Sequence, residues 1–284
     1  MSEALDGLLE LLDLEVIEVN LFRGRSPEED RQRVFGGQVA GQALVAAGRT
    51  VAADRRVHSL HAYFLRPGDP LVPILYQVDR IRDGRSFTTR RVVAVQHGEA
   101  IFHLSASFHV DEPGLDHQAP MPKTVDPETL RDWPTQMAEL GDAVPAWFTR
   151  PRPIDTRHVT EPWRATMPAD EQHGPTQQVW MRADGRLPDD PMLHACVVAY
   201  ASDMTLLDST VLPHRAEMQS RQLMMASLDH AMWFHRPFRA DEWFLYEQAS
   251  PSAFGARGLS VGQIFRQDGT LAVSVVQEGL VRLV

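Results

Sequence analysis

"HSLHAYFLRP" (His58–Pro67) and "SLDHAMWFHRP" (Ser227–Pro237) decide the fold, because they are one motif written twice. Each carries Ser-Leu, a histidine, an alanine, aromatic residues and a closing Arg-Pro. The two closures, Arg66-Pro67 and Arg236-Pro237, stand 170 residues apart. The likeness continues downstream. "RSFTTRRVVAVQHGEAIFHLSASFHV" from Arg85 matches "RGLSVGQIFRQDGTLAVSVVQEGLVR" from Arg257, with the turns Gln96–Gly98 and Gln267–Gly269 171 apart. A pattern that recurs only twice marks a duplicated unit forming a pseudo-dimer in one chain, rather than a solenoid.

Each copy opens with a helix-like run of small residues, "GGQVAGQALVAAGRTV" from Gly36 and "PMLHACVVAYASDMTLL" from Pro191. Long alternating segments follow, joined by Gly-containing turns such as "RDGR", "QHGE" and "RQDGT". A helix followed by an antiparallel sheet is the α+β class, with the helix packed on one sheet face. The chain divides into an N-terminal unit (1–115), a linker (116–165) and a C-terminal unit (166–284). Eleven of the twenty prolines lie between Pro113 and Pro175, a density that disfavours regular elements. The linker is expected to drape over the surface, with one short helix near "DPETLRDWPTQMAEL" and with Trp133, Trp147 and Trp163 as anchors.

With 284 residues and 43 % apolar content, the chain can bury a sizeable core without staples. A net charge of −10 argues against broad nucleic-acid or anionic-membrane binding. Cys196 is the single cysteine, so no intramolecular disulfide can form and a reducing compartment is expected. The acidic start lacks a basic signal-peptide region, and no apolar run reaches about 18 residues. The end "LVRLV" is not the Ser-Lys-Leu address, so cytoplasm is the default.

Three polar residues stand in apolar settings. If "VVAYASDMTLLDST" (Val197–Thr210) is helical, Met192, Cys196, Ala199 and Asp203 share one core-facing stripe. A carboxylate there must lose water at a cost. In "LAVSVVQEGLV" the apolar strand phase Leu271, Val273, Val275 continues to Gln277, which therefore points inward. It is either a core amide satisfied by backbone or part of a site; its counterpart 171 residues back is Ala106. Ser227 opens the second "LDHAMWFHRP" strand and is either an ordinary turn residue or a third member of a set with Asp203 and Gln277. In "FGGQVAGQAL", Gly36, Gly37 and Gln38 begin a helix whose amides can receive a ligand, or whose glycines permit close packing.

Other patterns carry less. "GLSVG" (Gly258–Gly262) matches a nucleophile elbow, but it continues as a strand and no histidine follows His235. Asp189 and His194 resemble an Asp/His hydratase pair; Asp189 and Asp190 also read as helix caps ahead of Pro191. The histidines lack metal-ligand spacings, so no metal is expected.

Together "FRGRSP", "RVFGGQVAGQAL", "VHSLHAYFLRPGD", "GRSFTTRRV", "YASDMTLL", "SLDHAMWFHRPF", "GARGLSVGQIF" and "VVQEG" span nearly the whole chain outside the linker. In these stretches the sequence resembles the acyl-CoA thioesterase II (TesB-like) family, a double hot-dog fold. The resemblance implies fatty acyl-CoA substrates, no cofactor, and a soluble homo-dimer or homo-tetramer. It implies a catalytic trio of Asp203, Ser227 and Gln277, with serine where the family often has threonine. Water activated by Asp203, or direct attack by the carboxylate, remain open as routes. Amides near Gly37 and Gln38 are candidates for the oxyanion. Arg66, Arg85, Arg236 and Arg257 are candidates for the CoA phosphates or for surface ion pairs, Arg66 and Arg236 foremost. The rivals are an enoyl-CoA hydratase using Asp189 and His194, and a non-catalytic acyl-CoA binding protein.

Overall fold

The structure, a computed structural model, describes residues 2–27, 32–139, 150–159, 176–214 and 222–284. Trp147 and Trp163 lie outside the described residues. Helix α1 (Glu3–Leu12) and a ribbon of β1 (Glu15–Glu18) and β2 (Leu21–Gly24) precede helix α2 (Gly36–Gly48). Strands β3 (Arg55–Phe64), β4 (Ile74–Asp83), β5 (Phe87–Gln96) and β6 (Glu99–Val110) complete the first half. After the short helix α3 (Trp133–Glu139), the second half begins with β7 (Ile154–His158), β8 (Thr176–Ala183) and helix α4 (Pro191–Ser202). It ends with β9 (Leu223–Ser227), β10 (Asp229–Phe234), β11 (Phe244–Phe254), β12 (Arg257–Arg266) and β13 (Leu271–Leu283).

The strands form one antiparallel sheet in the order β1-β2-β4-β5-β6-β3-β10-β13-β12-β11-β8-β7, with β9 also on β13. The order is a palindrome. β3 pairs with β10 at the centre, and each strand to one side has its repeat partner at the same place on the other. His61 faces Ala231 across that central pair, and these residues are 170 apart. A local two-fold therefore passes between them, and the duplicated motif forms the seam that joins the two halves.

The duplicated hairpin turn is tight in the first copy. His97 (φ 50°) and Gly98 (φ 78°) both take positive φ, the conformation that suits the right-handed twist of a two-residue hairpin.

Helices α2 and α4 pack antiparallel against one face of the sheet. Both are buried nearly all round, as helices inside a core are. The stretch Pro191–His214 is apolar enough to cross a membrane by composition, but 72 % of its apolar 18-residue window is buried inside the fold. Close approach of the two helices depends on glycine. A Cβ on Gly41 would stand 3.3 Å from the Cys196 carbonyl, and one on Gly37 would stand 2.4 Å from the Tyr200 carbonyl.

Alternate positions on β8, β11, β12 and β13 place Trp180, Leu245, Phe265 and Leu271 in a second cluster, with Trp243. Met121 and Leu130 pack against this outer face. Trp180 donates to the Val125 carbonyl at 2.9 Å and Trp243 to Glu128 Oε1 at 2.9 Å. The proline-rich middle thus covers the outer face of the second half, and Trp133 in α3 is buried.

Two expectations need correction. The middle segment contains β7, which pairs with β8. In each half a two-stranded ribbon precedes the central helix, and in the first half α1 precedes the ribbon. β7 is bounded by prolines, and β1 is exposed along its whole length. β7 does alternate, with Ile154, Thr156 and His158 buried, but it is only five residues long and follows Pro151 and Pro153, so pairing is what reveals it. Gly37→Ala should force the helices apart against a backbone oxygen that cannot rotate away. The expected loss is about 1–3 kcal/mol, read as a lowered midpoint in thermal or urea unfolding.

Candidate active site

Asp203 is not inside a helix. It is the residue that ends α4, with φ −86° and ψ −1°. Its carboxylate lies at the C-terminus of its own helix and against the N-terminus of α2. A Cβ on Gly36 would stand 2.7 Å from Asp203 Oδ2, so only glycine leaves room there. The Gly37 backbone N–H donates to the carboxylate. The partial positive charge of the α2 N-terminus offsets the unfavourable end of α4.

Two side chains complete the cluster. Gln277 Nε2 donates to Asp203 Oδ1 at 2.7 Å, and Ser227 Oγ donates to the same oxygen at 3.2 Å. Both arrive on β13's ladder. Gln277 lies on the inward phase of β13, and Ser227, the last residue of β9, pairs with Gly279 two positions further along. The three residues singled out in the sequence therefore meet. Burial raises the Asp203 pKa to about 6, although the bonds from Gln277, Ser227 and Gly37 pull it down.

A fourth residue stands behind them. Gln277 Nε2 also lies 3.1 Å from His230 Nδ1, and His230 Nε2 lies 2.8 Å from Ser202 Oγ. Burial lowers the His230 pKa to about 4, so the ring is neutral at pH 7. With Nδ1 accepting from the amide, the ring proton sits on Nε2 and points to Ser202, whose hydroxyl donates to the Ala199 carbonyl at 3.0 Å. Both amide protons of Gln277 are then engaged. Its Oε1 is buried without a hydrogen-bond partner. His230 was missed in the sequence, although the inward strand phase His230, Met232 marks it by the same argument that marked Gln277.

The remaining candidates fall elsewhere. Gln38 is buried, and its side chain donates to the Arg25 carbonyl at 3.0 Å. No side chain caps the start of α2. Arg66 pairs with Glu99 at 2.6 Å and donates to the Ala100 carbonyl at 2.7 Å. Arg236 donates to the Leu271 carbonyl at 3.0 Å and pairs with Asp116. Both arginines clamp strand ends, and no hydrogen bond or ion pair joins either to the trio. Arg257 pairs with Glu278 at 3.0 Å, next to Gln277 in sequence. Gly258–Gly262 is strand β12 throughout; its Ser260 accepts from Ser209 at 3.0 Å. Asp189 is engaged by Arg239, and His194 Nδ1 accepts from the Ala240 N–H at 3.0 Å. That ring nitrogen is not free to act as a base.

The two-fold supplies an internal comparison. Leu60 pairs with Ala106 at the place where the other half has His230 and Gln277. Gly48 lies against Met192 as Gly36 lies against Asp203. Carboxylate, amide and imidazole are thus replaced by glycine, alanine and leucine, and one half alone carries the polar cluster.

The charge on Asp203 is disfavoured by folding. Its folded pKa, about 6, exceeds the ordinary value of 3.8, so stability falls as pH rises between them. Asp203→Asn should raise the melting temperature at pH 7–8, with about 1 kcal/mol giving roughly 2–4 °C for a chain of this size. The gain should disappear below pH 4, where both groups are neutral; scanning calorimetry across pH reads it directly.

Residues 25–109 match the family model described as acyl-CoA thioesterase N-terminal domain, and residues 153–280 match the model described as acyl-CoA thioesterase. The chain is 46 % identical to acyl-coenzyme A thioesterase 8 of Mus musculus, covering 96 % of this chain and 88 % of that one. It is 39 % identical to acyl-CoA thioesterase 2 of Haemophilus influenzae, covering 99 % of both. The crystal structure of an acyl-CoA thioesterase II, TesB2, from Mycobacterium marinum superposes with a TM-score of 0.80 at 48 % identity, covering 98 % of both chains. With the duplicated helix-and-sheet units of a double hot-dog, the chain belongs to the acyl-CoA thioesterase family.

Proposed function

We propose that this chain hydrolyses fatty acyl-CoA to a free fatty acid and CoA, with Asp203 as general base. The observation that carries the reading is a partly buried carboxylate of raised pKa, held by an amide and a hydroxyl and facing no cation among the described residues. Such a group is a stronger base than a solvated carboxylate yet is ionised at pH 7. Asp203 takes a proton from water, and the oxygen attacks the thioester carbonyl carbon. The tetrahedral intermediate collapses, the carbon–sulfur bond breaks, and the thiolate takes the proton from Asp203, which returns to its ionised form. A thiol pKa near 8.5 makes it a good leaving group, so little acid catalysis is required.

Gln277 and Ser227 orient the carboxylate and the water, and the unpartnered Oε1 of Gln277 is an acceptor for a water proton. His230 acts through Gln277 as a positioning residue, because it fixes which way the amide points. The Gly37 amide serves Asp203, so the Gln38 backbone N–H, next in the uncapped first turn of α2, is the proposed oxyanion donor. A cavity of about 730 Å³ at the start of α2 is lined by Phe35, Gln38, Tyr200, Arg25 and Arg33. Its arginines, Arg23, Arg25 and Arg33, are better placed for the CoA phosphates than Arg66 or Arg236. The hydratase reading has lost its base, and a purely binding protein leaves the cost of an inward carboxylate without a purpose.

Thiol release from palmitoyl-CoA tests the assignment. Asp203→Asn should lower kcat by about 10²–10⁴ with the fold retained. Wild-type kcat should rise with pH through about 6, following Asp203 ionisation. Turnover by Asp203→Asn near the wild-type rate would remove the carboxylate from the mechanism. Single-turnover hydrolysis in heavy-oxygen water, with the label sought in the protein, separates water attack from a mixed anhydride.

His230→Leu should lower kcat by up to about tenfold with KM little changed, the loss expected for one hydrogen bond. His230→Asn, which keeps a hydrogen-bonding group, should recover part of that loss. An equal loss in both variants would make His230 merely a packing residue.

A further inference from the structure

The α2–α4 pair has two ends, and the second is a cavity. At the end away from Asp203 a space of about 1070 Å³ opens, at the top of the ~300–1,000 Å³ range of small-molecule sites. It stands where the two-fold carries the active site. In the active site Gly36 lies against Asp203 and against the Phe64 ring. By the two-fold the counterparts of Gly36, Asp203 and Phe64 are Pro191, Gly48 and Phe234, and all three line the cavity beside Met192. The cavity is the duplicated acyl seam without its carboxylate, amide and imidazole.

Its wall holds two donors without partners. His194 is 3 % exposed and lines the cavity. Its Nδ1 accepts from the Ala240 N–H, so in the neutral ring the proton is on Nε2, and Nε2 has no hydrogen-bond partner. Burial, then the Arg239 charge, holds the His194 pKa below its ordinary value, which keeps the ring neutral. Arg55 donates from Nη2 to the Arg85 carbonyl at 3.0 Å, while its Nη1 is buried and unpartnered. Leu12, Val45 and Phe108 add apolar surface to the same wall. Orphaned donors beside apolar surface suit a ligand with a hydrocarbon chain ending in acceptor oxygens.

We propose that this cavity is a second, non-hydrolytic site for a fatty acyl group, entering as free fatty acid or as acyl-CoA. The proposal rests on the acyl-CoA hydrolase reading and extends it: one duplicated seam hydrolyses, and the other only binds. Met192→Trp fills the cavity from α4 without touching the trio. His194→Asn leaves an oxygen for the Ala240 N–H and withdraws the orphaned donor.

Equilibrium dialysis on the full chain decides the matter. The Asp203→Asn protein should bind two palmitoyl-CoA per chain, and Asp203→Asn combined with Met192→Trp should bind one. Palmitate bound by the wild type and lost in Met192→Trp identifies the free acid as the occupant; palmitoyl-CoA bound there without palmitate identifies the thioester. His194→Asn should weaken this site about tenfold, the effect of one lost hydrogen bond. Stoichiometries that Met192→Trp leaves unchanged for both ligands would overturn the proposal. Thiol release by the wild type is measured on the same preparation: its absence would overturn the hydrolase reading, whereas its presence with neither ligand losing a site in Met192→Trp overturns only the second site.

Discussion

The contact on which the rest depends is the approach of Gly36 and Gly37 to Asp203 and Tyr200. Two helices must lie antiparallel at glycine distance for the end of one to face the start of the other. The carboxylate then sits where its own helix repels it and the neighbouring helix attracts it. The Gly37 amide, the Gln277 amide and the Ser227 hydroxyl compensate for lost water incompletely, so the Asp203 pKa remains at about 6. Any side chain on Gly36 would occupy the carboxylate's place. Helix packing and acid–base chemistry are therefore one constraint.

The duplicated architecture makes that constraint comparable with its own counterpart. The palindromic sheet places two equivalent helix ends over two equivalent strand pairs. At one end the inward positions are Asp203, His230 and Gln277; at the other they are Gly48, Leu60 and Ala106. A polar network in a low-dielectric interior must be complete or absent, because half of one leaves unsatisfied groups. Here all three positions differ together, and Gln277 Oε1 is the one buried atom of the set left without a partner among the described residues. His230 is the member whose purpose depends on the others: without Gln277, its buried Nδ1 would lose its donor and only Nε2 would stay paired, with Ser202.

The proline-rich middle shows how asymmetry enters elsewhere. Trp180, Trp243, Leu245, Phe265 and Leu271 form an apolar outer face on the second half. Segments around Met121, Val125 and Leu130 cover it, and their carbonyls and carboxylates receive the indole N–H groups. Long-range pairs such as Gln118 with Gly269 and Leu271 then tie this segment to the β12–β13 turn.

Much of this was legible in the sequence, for identifiable reasons. The repeat was visible because its motifs retain both residue types and spacing, and duplication implies a pseudo-two-fold. Gln277 was visible because strand period is two and its phase is apolar. Asp203 is legible as a core-facing carboxylate, but α4 ends at Ser202 and is buried nearly all round, so a helical stripe does not distinguish its face. β1 was not legible because it is exposed throughout, and β2 and β7 were not because four or five alternating residues are too short a run to stand out beside prolines and turns. Local pattern by itself determined the duplicated α+β units, the inward phase of Gln277 and the oddity of Asp203. Tertiary structure alone decided that the three groups meet, that His230 joins them and that Arg66 and Arg236 do not. Those outcomes depend on where one helix ends against another, and residue spacing along a single element does not encode the distance between two.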